Sequence, residues 1–208
     1  MYARRRAEMV ERLRTEGIDD PRVLAAMAEV PREAFVPSEL ADEAYTDHPL
    51  PIGEGQTIST PWIVAFMSAA LNLFGHETVL EVGTGSGYAA AVLSRCCRSV
   101  VTVERHNDLA DSAQAVLSRL RYDNVEVRVA NGSAGAPDRA PFDAISVTAM
   151  ASGEPPAALM QQLATGGTLV CPVGDGGIGY LVRFRDGQAE TLSPAGFVPL
   201  VEGDGSDA

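Results

Sequence analysis

The sequence predicts an α/β protein with a doubly wound, mostly parallel sheet, N-terminal helices and an antiparallel C-terminal edge. From residue 78 onward, short apolar runs alternate with helical patterns, which is typical of a parallel sheet with helices on both faces. The first predicted strand runs into a glycine turn, and a helix follows at once. Near the C-terminus, Asp186-Gly187 separates two short runs, which indicates antiparallel strands.

Each predicted element rests on periodicity and on start and stop signals. Helices are expected over 3–16, from Pro21 after the acidic cap Asp20 until Pro31, and from Pro61 to about Phe74. The proline- and glycine-rich segment 36–58 is predicted to be a long functional loop. The remaining elements are predicted as strands 78–83, 99–104, 124–130, 142–148, 167–173, 179–185, 188–193 and 196–201, and helices 87–96, 107–120 and about 155–164.

Composition excludes several classes of partner. The 208 residues carry a formal net charge of −12, so neither a nucleic-acid partner nor an anionic membrane is expected. The basic cluster Arg4-Arg5-Arg6 is followed by acids and is interpreted as the solvated face of a helix. Three cysteines, an odd number without metal-ligand spacing, indicate buried reduced thiols, no metal and a cytoplasmic protein. A monomer is expected.

The segment Val-Leu-Glu-Val-Gly-Thr-Gly-Ser-Gly-Tyr, residues 79–88, predicts a ligand site. Its alternate glycines would let a ligand approach the backbone where a strand turns into a helix. The spacing does not fit the dinucleotide pattern G-x-G-x-x-G/A, because the last position falls on Tyr88. A P-loop is excluded because the helix begins without lysine. A glycine turn that only packs tightly is the structural alternative.

Two acidic residues indicate that the ligand is an adenosine compound. Glu81 precedes the glycines, and Glu104 ends the next strand, where a carboxylate can accept both ribose hydroxyls. S-adenosylmethionine fits, as a sulfonium with an adenosine and an amino-acid tail. After the third strand, Asn131-Gly132 can bond the adenine edge or form a simple turn. Thr148 and Ala149 follow the fourth strand, where the methyl group is expected.

The chain resembles the protein-L-isoaspartate O-methyltransferase family. The resemblance is carried in order by Gly-Gln-Thr-Ile-Ser (55–59) with Pro61, residues 80–88, Pro-Phe-Asp (141–143), Val-Thr-Ala (147–149) and Phe-Val-Pro-Leu (197–200). It implies a Rossmann-like fold and methyl transfer from S-adenosylmethionine to the carboxylate of an isoaspartyl or aspartyl residue, with S-adenosylhomocysteine as product. The resulting ester would collapse to a succinimide.

The resemblance also implies site residues. Ser59 falls on the family's active-site serine, although a plain helix cap before Pro61 is the alternative. Thr57 and Ser59 would hold the substrate carboxylate by hydroxyl donors. The predicted substrate-binding residues are Gln56, Thr57, Ile58, Thr148 and Ala149. The predicted cofactor-binding residues are Glu81, Gly83, Thr84, Gly85, Ser86, Gly87, Glu104, Arg105, Asn131 and Gly132.

One domain over 1–208 is expected. It comprises N-terminal helices and a substrate loop (1–60), a cofactor-binding core (61–175), a strand-rich tail (176–201) and a frayed end (202–208). The chain departs from the family where Glu54 replaces an aromatic residue and Asn131 replaces an aspartate. These departures leave three hypotheses: a methyltransferase for isoaspartyl residues in proteins, a tailoring enzyme for an aspartate in one ribosomally made peptide, or a non-catalytic binding module.

Overall fold

The N-terminal helices lie where the sequence predicts them. The computed structural model describes residues 1–201 and 203, so the predicted frayed end at 202–208 lies outside the described residues except for Gly203. Helix α1 spans Tyr2–Thr15 and α2 spans Pro21–Glu29. The Asp20 side chain caps α2 by accepting the N–H groups of Arg22 and Val23. Short 3₁₀ turns follow at Arg32–Phe35 and Ser38–Leu40.

The segment predicted as a long loop contains a small hairpin. Strand β1 (Leu50–Gly53) pairs antiparallel with β2 (Gln56–Ile58). Glu54 and Gly55 form the turn with φ angles of 51° and 66°, the two positive values that a two-residue hairpin turn favours. Helix α3 follows at Pro61–Ala70, and Thr60 is its side-chain cap. Ser59 is therefore not the cap, and that alternative is wrong.

A predominantly parallel sheet forms the centre of the molecule. Its strand order is β10-β9-β8-β6-β3-β4-β5, in which β9 is Ile178–Arg185 and β10 is Gln188–Gly196, and the short β7 (Ala151–Ser152) pairs with β8. The central strands are β3 (Thr78–Val82), β4 (Ser99–Glu104), β5 (Val125–Val129), β6 (Phe142–Val147) and β8 (Leu163–Asp175). The connecting helices are α4 (Tyr88–Ser94), α5 (Asn107–Arg119) and α6 (Ala157–Gln162).

Helices cover the sheet on both faces, which confirms the predicted doubly wound architecture. One buried cluster joins the sheet to α1–α4 through residues such as Leu13, Met27 and Leu93. The opposite cluster includes Leu80, Ile145 and Leu159 of α6. Chain order reverses beside β3, whose neighbours are β4 and β6. Such a reversal opens a crevice at the carboxyl ends of the strands.

The C-terminal edge is antiparallel, as predicted, but over the described residues it has two strands after β8 rather than three. They are β9 (Ile178–Arg185) and β10 (Gln188–Gly196). The predicted strand 196–201 is wrong: Pro199 forms only an isolated bridge with Met150, which bonds the main chain of Val198 and Leu200. This bridge lays 198–201 across the carboxyl end of the sheet. No helix in the described ranges is long and apolar enough to cross a bilayer.

Candidate active site

A crevice of about 940 Å³, counting its open mouth, lies at the carboxyl ends of β3, β4 and β6. The glycine turn forms its floor, the hairpin and the start of α3 form one wall, and the tail forms another. Of the predicted site residues, the structure brings thirteen together here: Gln56, Thr57, Ile58, Ser59, Gly83, Thr84, Gly85, Ser86, Glu104, Arg105, Gly132, Thr148 and Ala149. Glu81, Gly87 and Asn131 do not line it.

The glycine turn needs its glycines for two physical reasons. Gly83 has a φ of +95°, and a Cβ there would lie 2.3 Å from Thr148 Oγ1. Gly85 has a φ of +52° and donates its N–H to Glu104 Oε2 at 2.9 Å. Positive φ is unfavourable for other residues, and the absence of a Cβ lets Thr148 and Ile52 pack against the turn. At Gly83 and Gly85 the turn therefore presents only main-chain atoms to the crevice.

Glu104 is fixed by the main chain around it. Its Oε1 accepts the N–H groups of Arg105 and His106 at 2.9 and 3.1 Å, and its Oε2 accepts that of Gly85. The side chain is buried yet lines the crevice. Because a carboxylate can accept about four hydrogen bonds, acceptor capacity remains on the oxygen that faces Gly85.

Glu81 lies beneath the turn rather than in the crevice. It is fully buried, and its Oε2 accepts a 2.6 Å hydrogen bond from Thr102, whose hydroxyl is 2.7 Å from that of Thr84. Its Oε1 has no partner. Burial raises the pKa of Glu81 to about 8; the Thr102 bond opposes this rise, and the charge of Glu104 adds to it.

Three further residues support the site through packing or local bonds. The Thr148 hydroxyl lies 2.9 and 2.8 Å from the carbonyl oxygens of Val82 and Gly83, so it braces the turn. Gly87 begins α4 with a φ of +83°, and a Cβ there would press on Ala113 and Leu117. Asn131 Oδ1 accepts the Ser133 N–H and hydroxyl, which fixes the bend that carries Gly132.

The hairpin side supplies unoccupied hydroxyl donors. Within the described part of the chain, the hydroxyls of Thr57 and Ser59 have no hydrogen-bond partner, although both residues line the crevice. The Ser59 carbonyl accepts a 2.7 Å bond from the buried Arg32. Its main chain is thus held from beneath, while its side chain stays available to a ligand.

Sequence reasoning missed the apolar walls of the crevice. These residues are Val64, Val82, Tyr88, Ala89, Val103, Val198, Pro199, Leu200 and Val201, together with His106. The Phe-Val-Pro-Leu motif was the available signal for the tail. Because the motif was interpreted as a strand, its place in the crevice wall was not predicted. Glu54, a departure from the family pattern, lies at the hairpin tip outside the lining, and its Oε2 is 3.7 Å from His106 Nδ1.

The parallel sheet, the glycine turn and the acid at the tip of β4 define an S-adenosylmethionine-dependent methyltransferase of the Rossmann-like class. Residues 4–205 match the family model described as protein-L-isoaspartate(D-aspartate) O-methyltransferase, and the chain belongs to that family. It is 52% identical over 203 residues to the protein-L-isoaspartate O-methyltransferase of Methanoculleus marisnigri, covering 95% of this chain and 92% of the relative. The corresponding protein 2 of Pelobacter propionicus is 51% identical over 208 residues, with 97% and 92% covered.

Solved structures agree with this assignment. A structure described as a protein-L-isoaspartate O-methyltransferase from Plasmodium falciparum, in complex with S-adenosyl-L-homocysteine, superposes with a TM-score of 0.81 at 26% identity over 94% of this chain and 98% of that one. Another protein-L-isoaspartate O-methyltransferase gives 0.82 at 28% identity over 96% of this chain, which spans 66% of that longer chain. The chain is thus an enzyme that uses S-adenosylmethionine to methylate isoaspartyl residues in proteins. The tailoring and binding-module hypotheses are not favoured.

Proposed function

We propose that this enzyme methylates the isoaspartyl carboxylate at the hydroxyls of Thr57 and Ser59, with the donor on the glycine turn. The observation that carries this proposal is the presence of two unpartnered hydroxyls in the same crevice as the turn and Glu104. Together with Thr57 and Ser59, Gln56 and Ile58 would form the side of the crevice that holds the methyl acceptor, here called the acceptor wall. Ala149 would border the methyl group. The ester would then cyclise when the next backbone nitrogen attacks it, which gives a succinimide and methanol.

The residues of the crevice fit S-adenosylmethionine. The main chain of Gly83 and Gly85 lines the crevice beside Glu104, which retains an acceptor site suited to ribose hydroxyls. Thr84, Ser86, Arg105 and Gly132 would complete the cofactor contacts. Glu81, Gly87, Asn131 and Thr148 would act indirectly, by holding the turn and the neighbouring bend in shape.

The chemistry requires positioning more than proton transfer. When bound, S-adenosylmethionine supplies a methyl group on a cationic sulfur. The acceptor carboxylate is already ionised at neutral pH, so the chain needs no strong general base. The hydroxyls of Thr57 and Ser59 would hold one carboxylate oxygen and direct the other, and the apolar tail residues Val198 and Leu200 would exclude water.

We further propose that the whole chain works as one domain and as a monomer in the cytoplasm. The three segments 1–60, 61–175 and 176–201 all contribute to the crevice, which supports one functional unit. Cys96, Cys97 and Cys171 are free and buried, and burial raises their pKa values to about 12, as suits inert thiols in a reducing compartment.

A labelled-methyl assay with paired variants tests the residue roles. With an isoaspartyl peptide, Ser59→Ala should lower kcat/KM by on the order of tenfold or more, because one donor to the acceptor is lost, while the Kd for S-adenosylhomocysteine changes little. Glu104→Ala should mainly raise that Kd. Thr60→Ala is the matched control: it removes the cap of α3, costing about 1 kcal/mol of stability, but leaves the acceptor hydroxyl in place.

Two results would contradict these assignments. Equal losses of turnover and of cofactor binding in Ser59→Ala would make the serine structural. Base-labile label on an aspartate-containing cyclic peptide, with none on the isoaspartyl peptide, would instead favour the tailoring hypothesis.

A further inference from the structure

Arg32 is a fully buried guanidinium directly behind the acceptor wall. It is 0% exposed, although arginine is seldom buried completely. Its Nε donates to the carbonyl of Ala44 and its Nη2 to that of Ser59, both at 2.7 Å. The guanidinium carbon lies 4.7 Å from the ring centre of Tyr88, which lines the crevice. Arg32 thus touches two residues of the crevice wall from within the protein.

The charge of Arg32 is not neutralised by an ion pair. Both hydrogen-bond partners are neutral carbonyl oxygens, and Nη1 has no partner. Within residues 1–201 and 203, no carboxylate forms an ion pair with it at 4.0 Å or less, although the chain has an excess of acids. Burial lowers the pKa of the Arg32 guanidinium, but arginine remains charged in proteins.

An uncompensated buried charge is costly, so its retention calls for a function. Cation–π contact with Tyr88 recovers part of the cost. The nearby Asp47 attracts Arg32 but forms no ion pair with it within 4.0 Å, and its carboxylate accepts the N–H of Trp62 at the start of α3. Arg32 therefore places a positive charge directly behind the part of the crevice wall formed by Ser59 and Tyr88.

We infer that Arg32 is a positioning residue that fixes the Ser59 main chain and supplies the positive field that holds the anionic methyl acceptor. This inference rests on the proposed function, because it takes Ser59 to face the isoaspartyl carboxylate. A guanidinium in direct contact would bind the carboxylate too strongly for reaction. Placed behind the wall, the charge attracts the acceptor and leaves the hydroxyls of Thr57 and Ser59 as its direct partners.

The course of the reaction predicts different kinetic effects for the two roles of Arg32, which are to supply positive charge and to fix the Ser59 main chain. A carboxylate oxygen forms a bond to the methyl carbon while the carbon–sulfur bond breaks and its electron pair goes to sulfur, so an anion and a cation become a neutral ester and a neutral thioether. The positive field therefore stabilises the bound substrate more than the transition state and should act on KM. The bond to the Ser59 carbonyl aligns the acceptor and should act on kcat.

The test measures binding without turnover. Proteins saturated with S-adenosylhomocysteine are titrated with an isoaspartyl peptide and with the same peptide carrying a carboxamide in place of the acceptor carboxylate. The wild-type enzyme should prefer the carboxylate peptide. In Arg32→Gln this preference should fall by on the order of tenfold. Arg32→Lys keeps the charge but not the two-pronged geometry, so its preference should stay within about threefold of the wild type, while a separate labelled-methyl assay should show a lower kcat.

Arg12→Gln is the matched control. Arg12 also donates to a main-chain carbonyl of the same turn, that of Tyr45 at 2.9 Å, but Tyr45, unlike Ser59, does not line the crevice. This variant should keep the wild-type preference. Melting temperature and the Kd for S-adenosylhomocysteine verify that each variant is folded.

The outcomes separate the inference from the proposed function. A folded Arg32→Gln with the full carboxylate preference would overturn the inference while leaving the proposed function intact. If Arg32→Gln does not fold, Arg32→Lys decides, because loss of preference with the charge retained would also overturn it. A wild-type enzyme that binds neither peptide would instead contradict the proposed function.

Discussion

Glu81 shows how far burial changes the chemistry of a single side chain. One of its oxygens accepts from Thr102 and the other has no partner, and its pKa is raised to about 8. Between pH of about 4.5 and 8, the folded protein keeps a proton that the unfolded chain releases. The free energy of unfolding therefore falls as pH rises through this window and levels off above it.

Glu81→Gln should remove this dependence, because the amide stays neutral. We expect the melting temperature of the variant, relative to the wild type, to rise by roughly 3 °C or more between pH 5 and pH 8.5. Glu77→Gln is the control: burial would raise the pKa of Glu77, but main-chain N–H groups and the nearby His76 lower it overall, so its offset should change far less over this range. A constant offset for Glu81→Gln would contradict the assigned environment.

At the scale of elements, the hairpin β1–β2 links the acceptor wall to the cofactor loop. Ile52 Cδ1 lies 3.3 Å from where a Cβ of Gly85 would stand, so the hairpin rests on the glycine turn. Gln56, Thr57 and Ile58 of the same hairpin line the crevice. Packing of Ile52 on the turn should therefore hold the hairpin over the bound cofactor.

Ile52→Ala should weaken this cover. Removing the apolar contact should raise the Kd for S-adenosylhomocysteine about fivefold, as expected for about 1 kcal/mol of lost packing, mainly through faster dissociation. Stopped-flow displacement measures the rate. Pro51→Ala is the matched control, since Pro51 is exposed on the adjacent position of the strand. An unchanged dissociation rate in Ile52→Ala would show that the hairpin does not cover the cofactor.

The same hairpin marks where prediction from sequence fails. Helices and core strands were predictable because their apolar periodicity repeats over several turns or residues. Strands of four and three residues, with Pro51 and Gly53 in the first and Gly55 in the turn between them, show no such repeat. The prediction of a strand in the tail was wrong for a related reason. Val198 and Leu200 alternate as in a strand, but Pro199 between them has no N–H to donate to a neighbouring strand.

The candidate site likewise contains residues that could be predicted from the sequence and residues that could not. Gly83, Gly85 and Glu104 were predictable because motif and chain position alone bring them to the strand tips. The bracing role of Thr148 depends on a carbonyl 65 residues away, at Gly83, and the burial of Arg32 depends on Ala44 and Ser59. Such partners are set by tertiary contacts, which local sequence does not encode.

At the scale of the whole molecule, the net negative charge of the protein repels the proposed anionic substrate. The net charge is −12, and the one basic cluster is engaged in ion pairs, with Arg5 bound to Asp42 at 2.7 Å and Arg6 to Glu33 at 3.2 Å. A carboxylate on a peptide thus approaches a field that repels it, and only local groups near the crevice attract it. Residues flanking the acceptor should then control the rate of encounter.

Isoaspartyl peptides flanked by lysines should accordingly be better substrates than peptides flanked by glutamates. At about 0.01 M ionic strength, where the Debye length is about 30 Å, we expect kcat/KM to differ several-fold in favour of lysine. At about 1 M, where that length is about 3 Å, the two values should converge with that of a neutral peptide. Because the field acts before the chemical step, kcat should be similar for all three. A lysine preference that survived high salt would mean that specific side-chain contacts, rather than the charge of the whole molecule, select the substrate.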